Sequence, residues 1–101
     1  MYLVVSKWEI PSADEEMFRG AGKVMREWLR QQPGVEYAES IRTEDGNGLA
    51  LIGYRDEETY KRIVQGPDSP FEQKAREMKL DQIGKWLWSE RGENVDQAVT
   101  A

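Results

Sequence analysis

Residues 35–55, VEYAESIRTEDGNGLALIGYR, constrain this chain more than any other stretch. Two runs with strand composition are joined by a turn holding two glycines, which predicts a β-hairpin. Helical patterns lie on either side of it. Upstream, Met17, Phe18, Ala21, Val24, Met25, Trp28 and Leu29 fall on an arc of roughly 140° at helical spacing, a core-facing stripe. That predicts a helix over 13–32, ended by Pro33–Gly34. Ser12 and Glu15 have capping-box spacing at its start. Downstream, Asp56 caps a helix beginning EETYKRIV. QGPDSP interrupts it, and Ser69, Pro70 and Glu72 restart it with a second capping box.

Each end supplies one more strand. In YLVVSKWEI, alternation puts Tyr2, Val4, Ser6, Trp8 and Ile10 on one face and Leu3, Val5, Lys7 and Glu9 on the other. GKWLWSE, residues 84–90, is the fourth strand, and alternation puts Trp86 and Trp88 on a common face. The second strand carries Val35, Tyr37, Glu39 and Ile41 on one face. The order is β-α-β-β-α-β, which predicts an α+β, ferredoxin-like fold: a four-stranded antiparallel sheet with its helices on one side. Residues 1–91 form the domain and 92–101 a polar tail, expected to fray unless a partner holds it. Neither face of the sheet is cleanly polar. A second copy is expected to cover the open face, giving a homodimer through sheet faces.

Composition narrows the chemistry. The chain has 101 residues, no cysteine and no histidine. A disulfide scaffold, a thiolate nucleophile and thiolate metal sites are excluded, and the commonest general base and metal ligand are missing. No metal site is expected. A net charge of −5 argues against nucleic acid. The first ten residues are too short and too soon polar for a signal peptide or a spanning helix, so a cytoplasmic protein with no membrane partner is expected.

The run LALIGYRDEETYKRIVQGPDSPF, with the element order and the length, resembles the dimeric α/β-barrel superfamily and its antibiotic-biosynthesis-monooxygenase-like domains. The resemblance covers residues 1 to about 91. It implies a homodimer whose two sheets close into a barrel, with a cavity in each subunit between sheet and helices. It also implies a cofactor-independent monooxygenase acting on a small aromatic or polyketide-like substrate, or a non-catalytic small-molecule-binding or stress-related barrel. No cofactor is expected. The haem-degrading branch uses an asparagine, a tryptophan and a histidine where this chain has Ser6 or Lys7, Ile63 and Ala75, so haem degradation is disfavoured. No residue can be carried over as catalytic.

Ser6, Trp8, Trp28, Tyr37, Tyr54 and Trp86 are the candidates for a ligand pocket that would take a small hydrophobic or aromatic molecule. Trp28, like Tyr60 and Phe71, reads first as core, by its helical spacing, and Trp88 as pocket or dimer seam. Ser40 and Glu39 are further strand positions that could face a cavity, Glu39 otherwise being a surface residue. Arg19, Lys23, Arg26 and Arg30 cluster within roughly 60° on the first helix. They read as a solvated helix face, with an anion site as the alternative.

Overall fold

A computed structural model describes residues 1–96. Strand β1 spans Tyr2–Glu9, helix α1 Glu15–Arg30, β2 Val35–Arg42, β3 Gly48–Tyr54, α2 Glu57–Val64, α3 Pro70–Met78, the short α4 Leu80–Ile83, and β4 Lys85–Glu93. The sheet is antiparallel with order β2-β3-β1-β4, so the expected ferredoxin-like α+β architecture is the one observed. The core, Tyr2, Met25, Leu29, Ala38, Ile52, Tyr54, Ile63 and Leu80, sits between the sheet and the helices. Among the described residues no helix is long and apolar enough to cross a membrane.

Local chemistry explains most boundaries. Asp56 accepts hydrogen bonds from the Thr59 backbone N–H at 2.8 Å and from the Thr59 hydroxyl at 2.7 Å, which starts α2 and holds the Asp56 carboxyl below its usual range. Ser69 accepts from the Glu72 N–H at 3.2 Å, and Pro70 takes the first turn of α3. In the hairpin turn Asp45 accepts from Asn47 N–H and Lys7 Nζ, each at 3.1 Å.

Three expectations are corrected. The Ser12 capping box does not form. Ser12–Asp14 makes a 3-10 turn, closed by a hydrogen bond from Asp14 N–H to Pro11 C=O, and no side chain caps α1. Glu15 is drawn away to pair with Arg19 and with Arg42 on β2. The tail also starts later than residue 92. β4 runs through Gly92 to Glu93, and Asn94 N–H donates to Met1 C=O at 2.9 Å. The part of the tail beyond Asp96 lies outside the described residues.

The third correction concerns the faces of the sheet, because two β-bulges break the alternation. In β2, Val35 pairs with Tyr54 and Tyr37 with Gly53, so Glu36 is an extra residue. In β4, Trp86 pairs with Trp8 and Trp88 with Lys7, so Leu87 is extra. A one-residue insertion flips every side chain beyond it to the other face. Trp86 therefore shares the helix-side face with Trp8, while Trp88 lies on the open face beside Lys7. Tyr37 likewise joins the open face, against Gly53, where an added Cβ would sit 2.7 Å from its ring.

Candidate functional site

The pairing registers lay out the helix-side face as cross-strand rows, read from β2 to β4. One row is Arg42–Gly48–Trp8–Trp86, the next is Ser40–Ala50–Ser6–Ser89, and the next is Ala38–Ile52–Val4–Arg91. The middle row is built entirely of small side chains. Close-packed interiors fill such a gap with a large partner from the facing layer. Here α1 presents Gly22 to the same space, and the gap persists. The result is a cavity of about 540 Å³ between the sheet and the helices, in the range of small-molecule sites.

Its walls are mainly apolar: Phe18, Met25 and Leu29 from α1, Val64 from α2, and Phe71 and Ala75 from α3. Trp8 stacks at a tilt on Phe18, with ring centroids 5.8 Å apart. Tyr60 packs between Tyr2 and Tyr54, at 5.1 and 5.5 Å, and Arg91 lies over its ring at 5.9 Å. Phe18 is held by Gly84, whose backbone its ring covers so closely that a Cβ there would overlap the ring. Glu72, Arg76, Asp81 and Trp86 are exposed and also line the cavity, so they mark its mouth.

Few polar groups interrupt these walls. Trp86 Nε1–H donates to Ser89 Oγ at 2.8 Å, and Ser89 and Ser6 hydroxyls share a hydrogen bond of 2.7 Å. Three donor hydrogens meet in this chain and two hydrogen bonds use them, so one hydroxyl hydrogen remains to point elsewhere. Tyr54 is 2% exposed. No protein group among the described residues hydrogen-bonds its hydroxyl, yet no enclosed side-chain polar atom there lacks a partner. The hydroxyl therefore faces the cavity space. Burial, with Tyr60 adding to it, pushes the Tyr54 phenol well above its ordinary pKa, so it stays protonated and serves as a donor at neutral pH.

Of the six pocket candidates, the structure brings Ser6, Trp8, Tyr54 and Trp86 together on the cavity lining, and Ser40 joins them. Trp28 is half-buried against the core instead, and the β2 bulge carries Tyr37 to the opposite face. Glu39 also faces away, in a row with Leu51 and Val5, and is exposed. Ser89, Phe18, Met25, Tyr60 and Phe71 belong to the lining without any pocket signal of their own in the sequence, and Arg26 with only the anion-site alternative of its stripe. Tyr60 and Phe71 are legible only as core by their spacing. Ser89 carries no signal once the β4 bulge has shifted its parity.

The fold is that of the small ferredoxin-like α+β domains, and the solved structures it is similar to include proteins named as antibiotic biosynthesis monooxygenases. SnoaB from Streptomyces nogalater, a cofactor-independent oxygenase, superposes with a TM-score of 0.75 at 15% identity, over 92% of this chain and 91% of that one. Rv0793 from Mycobacterium tuberculosis matches with a TM-score of 0.74 at 13% identity, over 92% and 93%. A Deinococcus radiodurans protein, named provisionally as an antibiotic biosynthesis monooxygenase, gives 0.76 at 12%, over 93% and 92%. At these identities the likeness is one of fold. No protein-family model matches the sequence, and no curated protein matches it.

Proposed function

We propose that the chain is a cofactor-independent monooxygenase that binds a flat, electron-rich aromatic molecule in the cavity between its sheet and helices. The observation that carries this reading is the Tyr54 hydroxyl, a protonated donor without a protein partner in an aromatic-lined cavity. A substrate such as anthrone needs little from the protein. It loses a ring C–H proton to water or to a carboxylate at the mouth, Glu72 or Asp81, and becomes an enolate. Tyr54 O–H donates to the enolate oxygen and stabilises its charge. The enolate carbon gives an electron to O₂, the radical pair joins as a peroxide anion, this takes back the proton removed in the first step to become a hydroperoxide, and loss of water leaves the quinone. One anthrone and one O₂ give one anthraquinone and one water, so no further reductant enters.

Aerobic incubation with anthrone tests this. Quinone should form faster than in buffer, with one O₂ consumed per quinone. Tight binding without acceleration across a panel of anthrones and quinols would favour the binding-domain alternative. The fold neighbour SnoaB, being named a cofactor-independent oxygenase, supports the first reading.

We also infer that two copies pack through their open sheet faces. That face carries Leu3, Val5, Leu49 and Leu51 at its centre, with Ile41 53% and Trp88 45% exposed toward its edges. Contiguous apolar surface of this kind marks an interface. Light scattering at micromolar concentration should give the mass of two chains, and a stable monomer would contradict it.

A further inference from the structure

The four cations of the α1 stripe have different fates in the structure. Arg19 pairs with Glu15 at 3.1 Å. Arg30 Nη2 donates to Ala38 C=O at 2.6 Å. Lys23 is exposed to solvent. Arg26 differs from all three. It is half-buried, lines the cavity, and has no ion pair or hydrogen bond to another group among the described residues. Its inward course has a local cause. Gly22 sits one turn earlier on α1, and a Cβ there would lie 3.0 Å from Arg26 Nη1. The missing side chain leaves the path the guanidinium takes.

Arg26 also stands where two recesses meet. A second, smaller hollow of about 260 Å³ shares Phe18, Arg26, Ser40 and Gly48 with the main cavity. Its remaining charged groups are Arg19, Arg42 and Glu15. One carboxylate thus faces three guanidinium groups, and Glu15 is already engaged by Arg19 and Arg42. The Ser40 hydroxyl, in the small-residue row but open to solvent on the edge strand β2, makes no hydrogen bond to protein among the described residues. This end of the cavity is positive although the chain as a whole carries −5. Desolvation loosens the hold of Arg26 on its proton and Arg30 nearby works in the same direction, while the Glu27 carboxylate, the next residue on α1, partly opposes them without forming an ion pair. A guanidinium nonetheless stays charged, and a half-buried one that makes no ion pair gains a charge-assisted hydrogen bond when an anion meets it.

We propose that Arg26, with the Ser40 hydroxyl at the same end of the cavity, binds an anionic group on the ligand, so that the cavity takes an aromatic acid in preference to a neutral aromatic. The ring system lies among Trp8, Phe18 and Phe71, and its carboxylate or equivalent oxyanion reaches the Arg26 end. This deepens the reading of the cavity as a ligand site and rests on it. Arg26 acts as a specificity residue, selecting by charge.

The test is isothermal titration of the full chain with two probes of one shape, 2-naphthoate and 2-naphthamide. Wild type is expected to bind the acid about tenfold more tightly than the amide, the worth of one charge-assisted hydrogen bond. Arg26→Gln should bring the acid down to the level of the amide and leave the amide unchanged. Arg26→Lys, which keeps the charge and loses the fork, should retain part of the preference. Equal affinity for both probes in wild type, or an equal loss of both in Arg26→Gln, overturns the Arg26 assignment while leaving the cavity as a ligand site. Failure of both probes to bind overturns the two readings together.

Discussion

In the aerobic oxidation of anthrone, replacing Tyr54 by phenylalanine is expected to slow quinone formation by tenfold or more. The change removes one oxygen atom and leaves the ring. A hydrogen bond to a charged acceptor contributes about 1.5–3 kcal/mol, or roughly ten- to a hundredfold in rate when it is made mainly in the transition state. The enolate oxygen is such an acceptor, and the Tyr54 hydroxyl has no competing protein partner among the described residues. For the same reason the fold should not suffer. No protein hydrogen bond is lost, so the unfolding free energy should stay within about 1 kcal/mol of wild type. Tyr54 is 2% exposed, so a hydroxyl with a structural role would instead give a large stability loss. An unchanged rate would remove Tyr54 from the chemistry.

Leu29→Ala is expected to have the largest effect on stability, about 3 kcal/mol. Leu29 is 2% exposed on the inner face of α1 and packs in the core against the sheet. Leucine-to-alanine changes in cores cost about 2–5 kcal/mol, and the cost grows with the void that remains. Here the void opens onto the existing cavity, whose lining already includes Leu29. The void adds to space that the packed layers already leave open, so little of the loss is recovered by collapse. Urea unfolding at fixed protein concentration should show a lower midpoint with an unchanged slope. A loss under about 1 kcal/mol would mean that α1 is far less tightly seated than its burial indicates.

Much of the architecture is legible in the sequence. Element order follows from hydrophobic period, and the starts of α2 and α3 from Asp56, Ser69 and Pro70, because a cap is local chemistry written in neighbouring residues. The faces of the edge strands are not legible in this way. Counting by twos places Tyr37 with Val35, and Trp86 with Trp88. Each pair is divided by one inserted residue, Glu36 or Leu87. A bulge is set by how an edge strand meets its partner, and nothing in VEYAE or KWLWS announces it. The central strands β1 and β3 pair with each other residue for residue, and their cavity-side positions Ser6, Trp8 and Tyr54 follow simple alternation.

Arg26 shows the same limit on a helix. Its angle on α1 groups it with Arg19, Lys23 and Arg30, which are paired elsewhere or solvated. Only the gap left by Gly22 turns it inward, and that gap matters because the facing sheet row is small. Likewise the Ser12–Glu15 spacing fits a capping box, but Arg42, distant in sequence, takes the Glu15 carboxylate. Where a long-range partner competes with a local one, the local pattern misleads. The cavity itself is a property of two layers at once, small side chains on the sheet and a glycine on the helix.

The space between sheet and helices is predicted to hold an aromatic ligand. Backbone amide NMR during titration with neutral 2-naphthamide tests this most directly, because it reports location without relying on Arg26 or on turnover. Shifts are predicted to concentrate at cavity-side positions on both layers of the lining, Ser6, Ala50 and Ser89 on the sheet, Gly22 on α1, and Ala75 on α3. Shifts concentrated instead on open-face positions such as Leu51, Glu39 and Glu90, or no shifts at all, would contradict it.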